Sequence, residues 1–230
     1  MRVAKILITF AAFGGVASCD VNTTGLLGTT GGGPGLRIVN AYTGPVDVLI
    51  DGHVALSALG AGQINTTALA AGNHTLELRP TAGGTSISQS VTAATGVLST
   101  IAATLDVGGA LSAAVLDDTN SVVPDGATKL RVLHLAPNAG TLQVYRTQPD
   151  YQTPVSWQFP FEYEADPTDL SAPFYQSTVG SWEVRVWQSP ADASGWDTAT
   201  TRITVPLVSG AKATIVILDK AGGGVTVKVI

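Results

Sequence analysis

Read from residue 36, the chain says the same thing twice, and this repeat limits its folds more than any other feature. The stretch "LRIVNAY" (Leu36 to Tyr42) matches "LRVLHLA" (Leu130 to Ala136), and each is followed by a second run, "PVDVLIDG" and "TLQVYRTQ". Further on, "AGNHTLELRP" from Ala71 pairs with "VGSWEVRVWQ" from Val179, and "GVLSTIAATLD" from Gly96 pairs with "GAKATIVILD" from Gly210. The last pair is "GGALSAAVLDD" against "GGGVTVKVI". Matches in one order on both sides predict two copies of one domain, at 36–126 and 127–230, each with its own core. A connector carrying Pro124 and Gly126 separates them.

Each matched segment is short, rich in Val, Ile, Leu and Thr, and bounded by Gly, Asn, Asp or Pro, as strands between turns are. Leu76 and Leu78 alternate with Glu77 and Arg79, which is the two-residue period of a half-buried strand. No segment after the amino terminus shows a capped 3.6-residue period. The expected fold class is all-β: two tandem Ig-like antiparallel β-sandwich domains of about seven strands each. The Cys, Trp, Cys pattern of immunoglobulin domains is absent, so the likeness is one of architecture.

The amino terminus has its own logic. Arg2 and Lys5 precede an apolar run, Ile6 to Val16, of about 11 residues, where a bilayer span needs roughly 20. After it comes Val16-Ala17-Ser18-Cys19, holding the single cysteine of the chain. This resembles the lipobox of bacterial lipoproteins, and the resemblance implies that Cys19 is lipidated on sulfur, becomes the new amino terminus and is acylated there. Residues 1–18 are then a lipoprotein signal peptide, and 19–35 a Gly/Thr-rich tether. A thiolate is the nucleophile that such a transfer needs, and a lone cysteine has no disulfide partner in an oxidising compartment. Two or three acyl chains at about 0.8 kcal/mol per methylene make a stable anchor. The expected address is a bacterial membrane, facing the periplasm or the surface. Asp20, an inner-membrane retention signal in some lineages, leaves both membranes open. An ordinary signal peptide with an incidental Cys19 is the alternative.

Composition narrows the function classes. The chain has 12 basic and 17 acidic residues. Without Arg2 and Lys5 the balance is 10 against 17, a formal charge of −7, which gives no footprint for nucleic acid. The charged fraction is 13% against a usual ~25%, so the surface is polar through hydroxyl groups.

"LRVLHLAPNA" (Leu130 to Ala139), with "LDDTNSVVPDGATK" (Leu116 to Lys129) before it, resembles the tandem repeat of the bacterial domain-of-unknown-function family numbered 4397. The resemblance runs over nearly all of 36–230. It departs in the first copy, which has "NAYTGP" where the second has "HLAPNA". It implies a β-sandwich fold and an exported location, and carries no activity and no site residues with it.

Constellations that carry chemistry are missing from the sequence. His53, His74 and His134 stand on different segments, none with another His or Cys within six residues, so no zinc spacing exists. Each reads as a surface or strand-edge residue. There is no Gly-x-Ser-x-Gly, no His-Glu-x-x-His and no phosphate loop. Asp106 and the pair Asp117-Asp118 could hold calcium, but a turn role fits the pair better. Asn22, Asn65 and Asn73 fit a glycosylation pattern that has no meaning behind a bacterial lipobox. No catalytic residue, no metal ligand and no cofactor are expected. The leading reading is a structural or interaction module of the envelope, with an envelope protein or a glycan as possible partner; a glycan or small-ligand module is the alternative, and an enzyme the third reading.

The aromatic residues mark where a partner would bind. Of 14, Phe10 and Phe13 lie in the leader and Tyr42 in the first copy, and the other 11 fall between Tyr145 and Trp196. The second copy carries an insertion, "YQTPVSWQFPFEYEADPTDLSAPFY", in which Trp157, Phe159, Phe161 and Tyr163 alternate. Trp187 aligns with Arg79 and is expected to be exposed. With Tyr175, Trp196 and Trp157 it is the candidate contact for a ligand or partner.

Overall fold

The computed structural model describes residues 35–116, 122–147, 159–161, 174–188 and 201–230. Among them are sixteen strands and no helix. The first copy contributes β1 (Gly35–Asn40), β2 (Val46–Ile50), β3 (His53–Leu59), β4 (Ile64–Ala68), β5 (Gly72–Pro80), β6 (Ile87–Ala93), β7 (Leu98–Leu105) and β8 (Leu111–Leu116). The second contributes β9 (Ala127–Leu135), β10 (Leu142–Thr147), β11 (Phe159–Phe161), β12 (Tyr175–Thr178), β13 (Gly180–Gln188), β14 (Thr201–Leu207), β15 (Lys212–Asp219) and β16 (Val225–Val229).

The strands form four sheets, and the two halves repeat one topology. The order β4-β1-β7-β8 is matched by β12-β9-β15-β16, and β3-β2-β5-β6 by β11-β10-β13-β14. Each copy thus shows eight strands rather than about seven. One junction per copy, β1 with β7 and β9 with β15, is parallel, and the other pairs are antiparallel. The sequence alignment holds at the level of register. Ile38 lies opposite Ile101 and Val132 opposite Ile215, so equivalent residues meet equivalent partners.

Alternation along each strand decides which side is buried. In β1, Leu36 and Ile38 join Val48, Leu76 and Leu78 in the core of the first copy. In β9, Leu130 and Val132 join Val144, Val184 and Val205 in the core of the second. Two-sided burial is the feature that two independent sandwiches lack. On the opposite faces of β1 and β9, Val39, Ala102 and Leu116 pack with Leu133, Val216 and Ile230 in a third apolar cluster. The two central sheets therefore lie face to face, and the stack is four sheets deep. Their strands read as near-continuous apolar runs because both sides are covered: the burial of β9 is complete but for Lys129. The expectation of two separate cores is correct for the first two clusters and misses the third.

A close approach elsewhere agrees with this packing. Gly62, in the turn between β3 and β4, has φ +72°, and a Cβ there would lie 3.2 Å from the carbonyl oxygen of Asp219 at the end of β15. Glycine suits that position both by its backbone angle and by its lack of a side chain.

Candidate functional site

Trp187 is the first expectation to correct. Alternation on β13 does place it with Glu183 and Arg185, opposite Val184 and Val186, which lie in the core of the second copy. It is nevertheless only 7% exposed. Its ring meets Tyr145 edge-on, with centroids 5.0 Å apart and planes at 86°, the arrangement that the ring quadrupoles favour. Tyr145 is 8% and Arg185 3% exposed on the same face. The Tyr145 hydroxyl donates to Gln143 Oε1 at 2.7 Å, and Arg185 Nε donates to Glu183 Oε1. The outward side of this sheet is thus covered around Tyr145, Arg185 and Trp187, whereas Arg202 and Thr204 of β14 on the same side stay exposed; an aromatic residue replacing Arg79 of the first copy is part of what is buried there.

Tyr175 keeps its expected exposure, at 43%. It lies on β12 opposite Leu130, in the sheet of β9, whereas Trp187 belongs to the sheet of β10 and β13. The two therefore stand on different sheets of the second copy. Cys19, Trp157 and Trp196 lie outside the described residues, as do Asp117, Asp118 and Tyr163. Phe159 and Phe161 form the backbone of β11, which pairs with β10.

Two cationic groups that the sequence reading passed over are set on aromatic rings. Arg146 continues the inward alternation of Leu142 and Val144, and its guanidinium lies 4.4 Å from the centroid of the Trp182 ring. Its Nη1 donates to the Ser177 hydroxyl, while Trp182 Nε1 donates to the Thr178 carbonyl at 3.0 Å. Burial pushes the Arg146 pKa below its usual value, and the ring face offsets part of that desolvation. Arg131, 1% exposed, lies 4.5 Å from the centroid of Phe174 and donates through Nε to Thr214 Oγ1 at 2.8 Å. Lys212 Nζ approaches the same ring at 5.7 Å. A charged residue in an apolar alternation, such as Arg146 after Leu142 and Val144, was the signal available in the sequence. These groups can tie the sandwich edge together, and they include no nucleophile with a base.

The histidines have structural surroundings. His74 is half-buried, with Nδ1 2.7 Å from Asp51 Oδ2 and Nε2 3.0 Å from the Ala70 carbonyl oxygen. Two acceptors on one ring favour the imidazolium, and the Asp51 hydrogen bond, then that to Ala70, raises the His74 pKa. The same contact, followed by the Thr75 N–H, lowers that of Asp51. Asp51 and Gly52 have φ of 51° and 80°, the two-residue turn that hairpins prefer, so this pair fastens the β2–β3 turn to β5. His134 is fully buried, contrary to the surface or edge position expected. Its Nε2 donates to the Gly140 carbonyl at 2.7 Å, and its Nδ1 accepts from the Ala136 N–H at 3.2 Å. Asn40, its partner in the repeat, does the same work: its Oδ1 accepts from the Tyr42 N–H at 3.0 Å and its Nδ2 donates to the Gly44 and Leu59 carbonyls. Different residues at one position hold equivalent loops. Asp106 accepts from the N–H groups of Gly108 and Ala110 at 2.8 and 2.9 Å, a turn role. No group of three or more His, Cys, Asp or Glu side chains gathers among the described residues.

Residues 34–145 match the family described as Domain of unknown function (DUF4397). The match takes in the whole first copy and runs on through β9 into β10, short of the full-length likeness expected. No curated protein matches the chain at a significant level. Solved structures with a likeness include the product complex of SpuA, a multi-modular glycogen-degrading pneumococcal virulence factor (12% identity, 84% of this chain, 21% of that one, TM-score 0.26). A second is described as alpha-glucan binding by a streptococcal virulence factor (14%, 80% and 92%, TM-score 0.25). A third is described as alpha-glucan recognition by family 41 carbohydrate-binding modules from streptococcal virulence factors (11%, 80% and 93%, TM-score 0.27). The chain thus spans about a fifth of the length of the first.

Proposed function

For a chain whose residues 34–145 match the family described as Domain of unknown function (DUF4397), we propose the role of an exported, lipid-anchored module of the bacterial envelope that acts by binding and not by catalysis. The observation that carries this reading is Val16-Ala17-Ser18-Cys19 after a short apolar leader, with cysteine used nowhere else in the chain. The β stack supports a binding role because it offers rigid sheets and edges on which contacts can be placed. A tether of 17 residues, 19–35, keeps the folded part within about 60 Å of the membrane at full stretch. A glycan or small-ligand module in the second copy is the alternative; Tyr175 remains its exposed aromatic residue, and Trp187 is lost to it.

Metabolic labelling with a fatty-acid analogue tests the anchor. The wild-type chain takes up label and is processed to the mature size, whereas Cys19→Ser takes up none and accumulates as the precursor, because the processing step acts on the modified cysteine. Label that persists in Cys19→Ser removes the assignment. Co-purification from solubilised membranes then identifies what the module binds.

A further inference from the structure

The cluster shared by the two central sheets is assembled from equivalent positions of the two copies. Val39 corresponds to Leu133, Ala102 to Val216 and Leu116 to Ile230 in the repeat, and all six lie in it. It has the form of an isologous contact between two subunits, made inside one chain.

The two sides are not interchangeable, however. The face of the β1 sheet is built mainly of small residues, Ala41, Ala102 and Ala114, beside Val39 and Leu116. The face of the β9 sheet has no alanine and is built mainly of larger ones, Leu133, Leu135, Leu218 and Ile230, beside Val216. Large against small fills the layer. Pairing two β9 faces would crowd it and bring Lys228 toward Lys228, since that residue stands where the first copy has Ala114; pairing two β1 faces would leave voids. Both outcomes are costly in close-packed interiors.

We propose that this is an exchangeable docking surface whose partner, besides the sister half of the same chain, is the sister half of a second copy. The β1 face of one molecule takes the β9 face of the other and the reverse, giving a closed two-chain assembly. Every apolar contact of the monomer is remade in it, and only the path of the connector 117–126 changes. Ten residues reach about 35 Å when extended, and Val122 in that connector is 87% exposed. Closure within one chain enjoys an effective concentration in the millimolar range, so exchange appears where molecules refold while crowded, and it is then locked by the need to unfold before reverting.

The test uses the chain from Asp20 onward, which keeps every described residue and carries no lipid, so its failure leaves the anchor reading untouched. Isotopically light and heavy preparations are mixed, unfolded together in guanidinium, refolded at increasing concentration and examined by light scattering and native mass spectrometry. The expected result is a folded dimer whose fraction grows with concentration, which includes light–heavy pairs and which returns to monomer only through unfolding. Leu133→Arg abolishes that dimer, and Ala102→Arg on the opposite face does so independently should the first variant not fold. Monomer at every concentration overturns the proposal, as does a dimer that persists in either variant.

Discussion

At the scale of single residues, the same position can be spent differently in the two copies, and neighbours decide how. Arg79 reaches Glu77 from an exposed surface, its Nη2 donating at 2.9 Å; Trp187, its equivalent, is buried beside Tyr145. Trp187→Ala is therefore expected to destabilise by about 3–5 kcal/mol, as truncation of a buried Trp does, and urea melts of the variant check it. A loss within ~0.5 kcal/mol would return the ring to the surface. The His74–Asp51 contact gives a pH dependence whose sign follows from the two shifts. The His74 pKa is raised from an ordinary value of 6.5, so its contribution is complete below that pH and is lost as pH rises through the higher folded value. The Asp51 pKa is lowered from 3.8, so its contribution is present above that pH and is lost on acidification. Between about pH 4 and 6.5 both hold. The urea midpoint is expected to fall from pH 6 toward pH 8 in the wild type, and that slope is expected to flatten in His74→Gln. An unchanged slope would show that the pair does not titrate with folding. The His74 role was not legible in the sequence because it depends on Asp51, which lies 23 positions away; His134 works on its own loop, through backbone groups two and six positions on, and only the loop's conformation shows it.

Among elements, the alternation of side chains was read correctly where one face of a strand meets water and incompletely where neither does. In β5, Leu76 and Leu78 are 1% exposed while Arg79 is exposed, as the two-residue period requires. In β9 nearly every residue is buried, so period 2 decides only which of two cores a residue enters, and the pattern cannot say that a second core exists. Leu133→Ala tests the second. It removes a large side chain from the cluster between the central sheets and leaves Leu130 and Val132 in place on the other side. A loss of about 2–5 kcal/mol is expected in denaturant melts, and a near-zero change would mean that this face is open to water. The edge strands β3, β4, β11 and β12 were the least legible elements. Their burial patterns are mostly exposed where described, as in β4 and β12, so hydrophobic periodicity had little to work on.

For the whole molecule, the shared cluster predicts how the halves unfold. All four Trp residues lie in the second copy, so tryptophan fluorescence follows that half alone, while far-UV circular dichroism follows the strands of both. The two signals are expected to give one urea midpoint, since losing either half strips water-shielded apolar surface from the other. Separated midpoints would mean that the central sheets contribute little to each other. The sequence by itself determined the repeat, the all-β class, the sense in which each strand alternates and the single cysteine behind its apolar leader. These are local or self-referential patterns, carried by the spacing of residue types and by the matching of one stretch to another. Only the tertiary structure decided that the backs of β1 and β9 meet, that Trp187 is covered and that Asn40 and His134 fasten equivalent loops. The first is a choice of which surface closes over which, between segments about a hundred residues apart; the second rests on Tyr145 of a neighbouring strand and the third on the conformation of the loops themselves, and no periodicity within one segment records any of them.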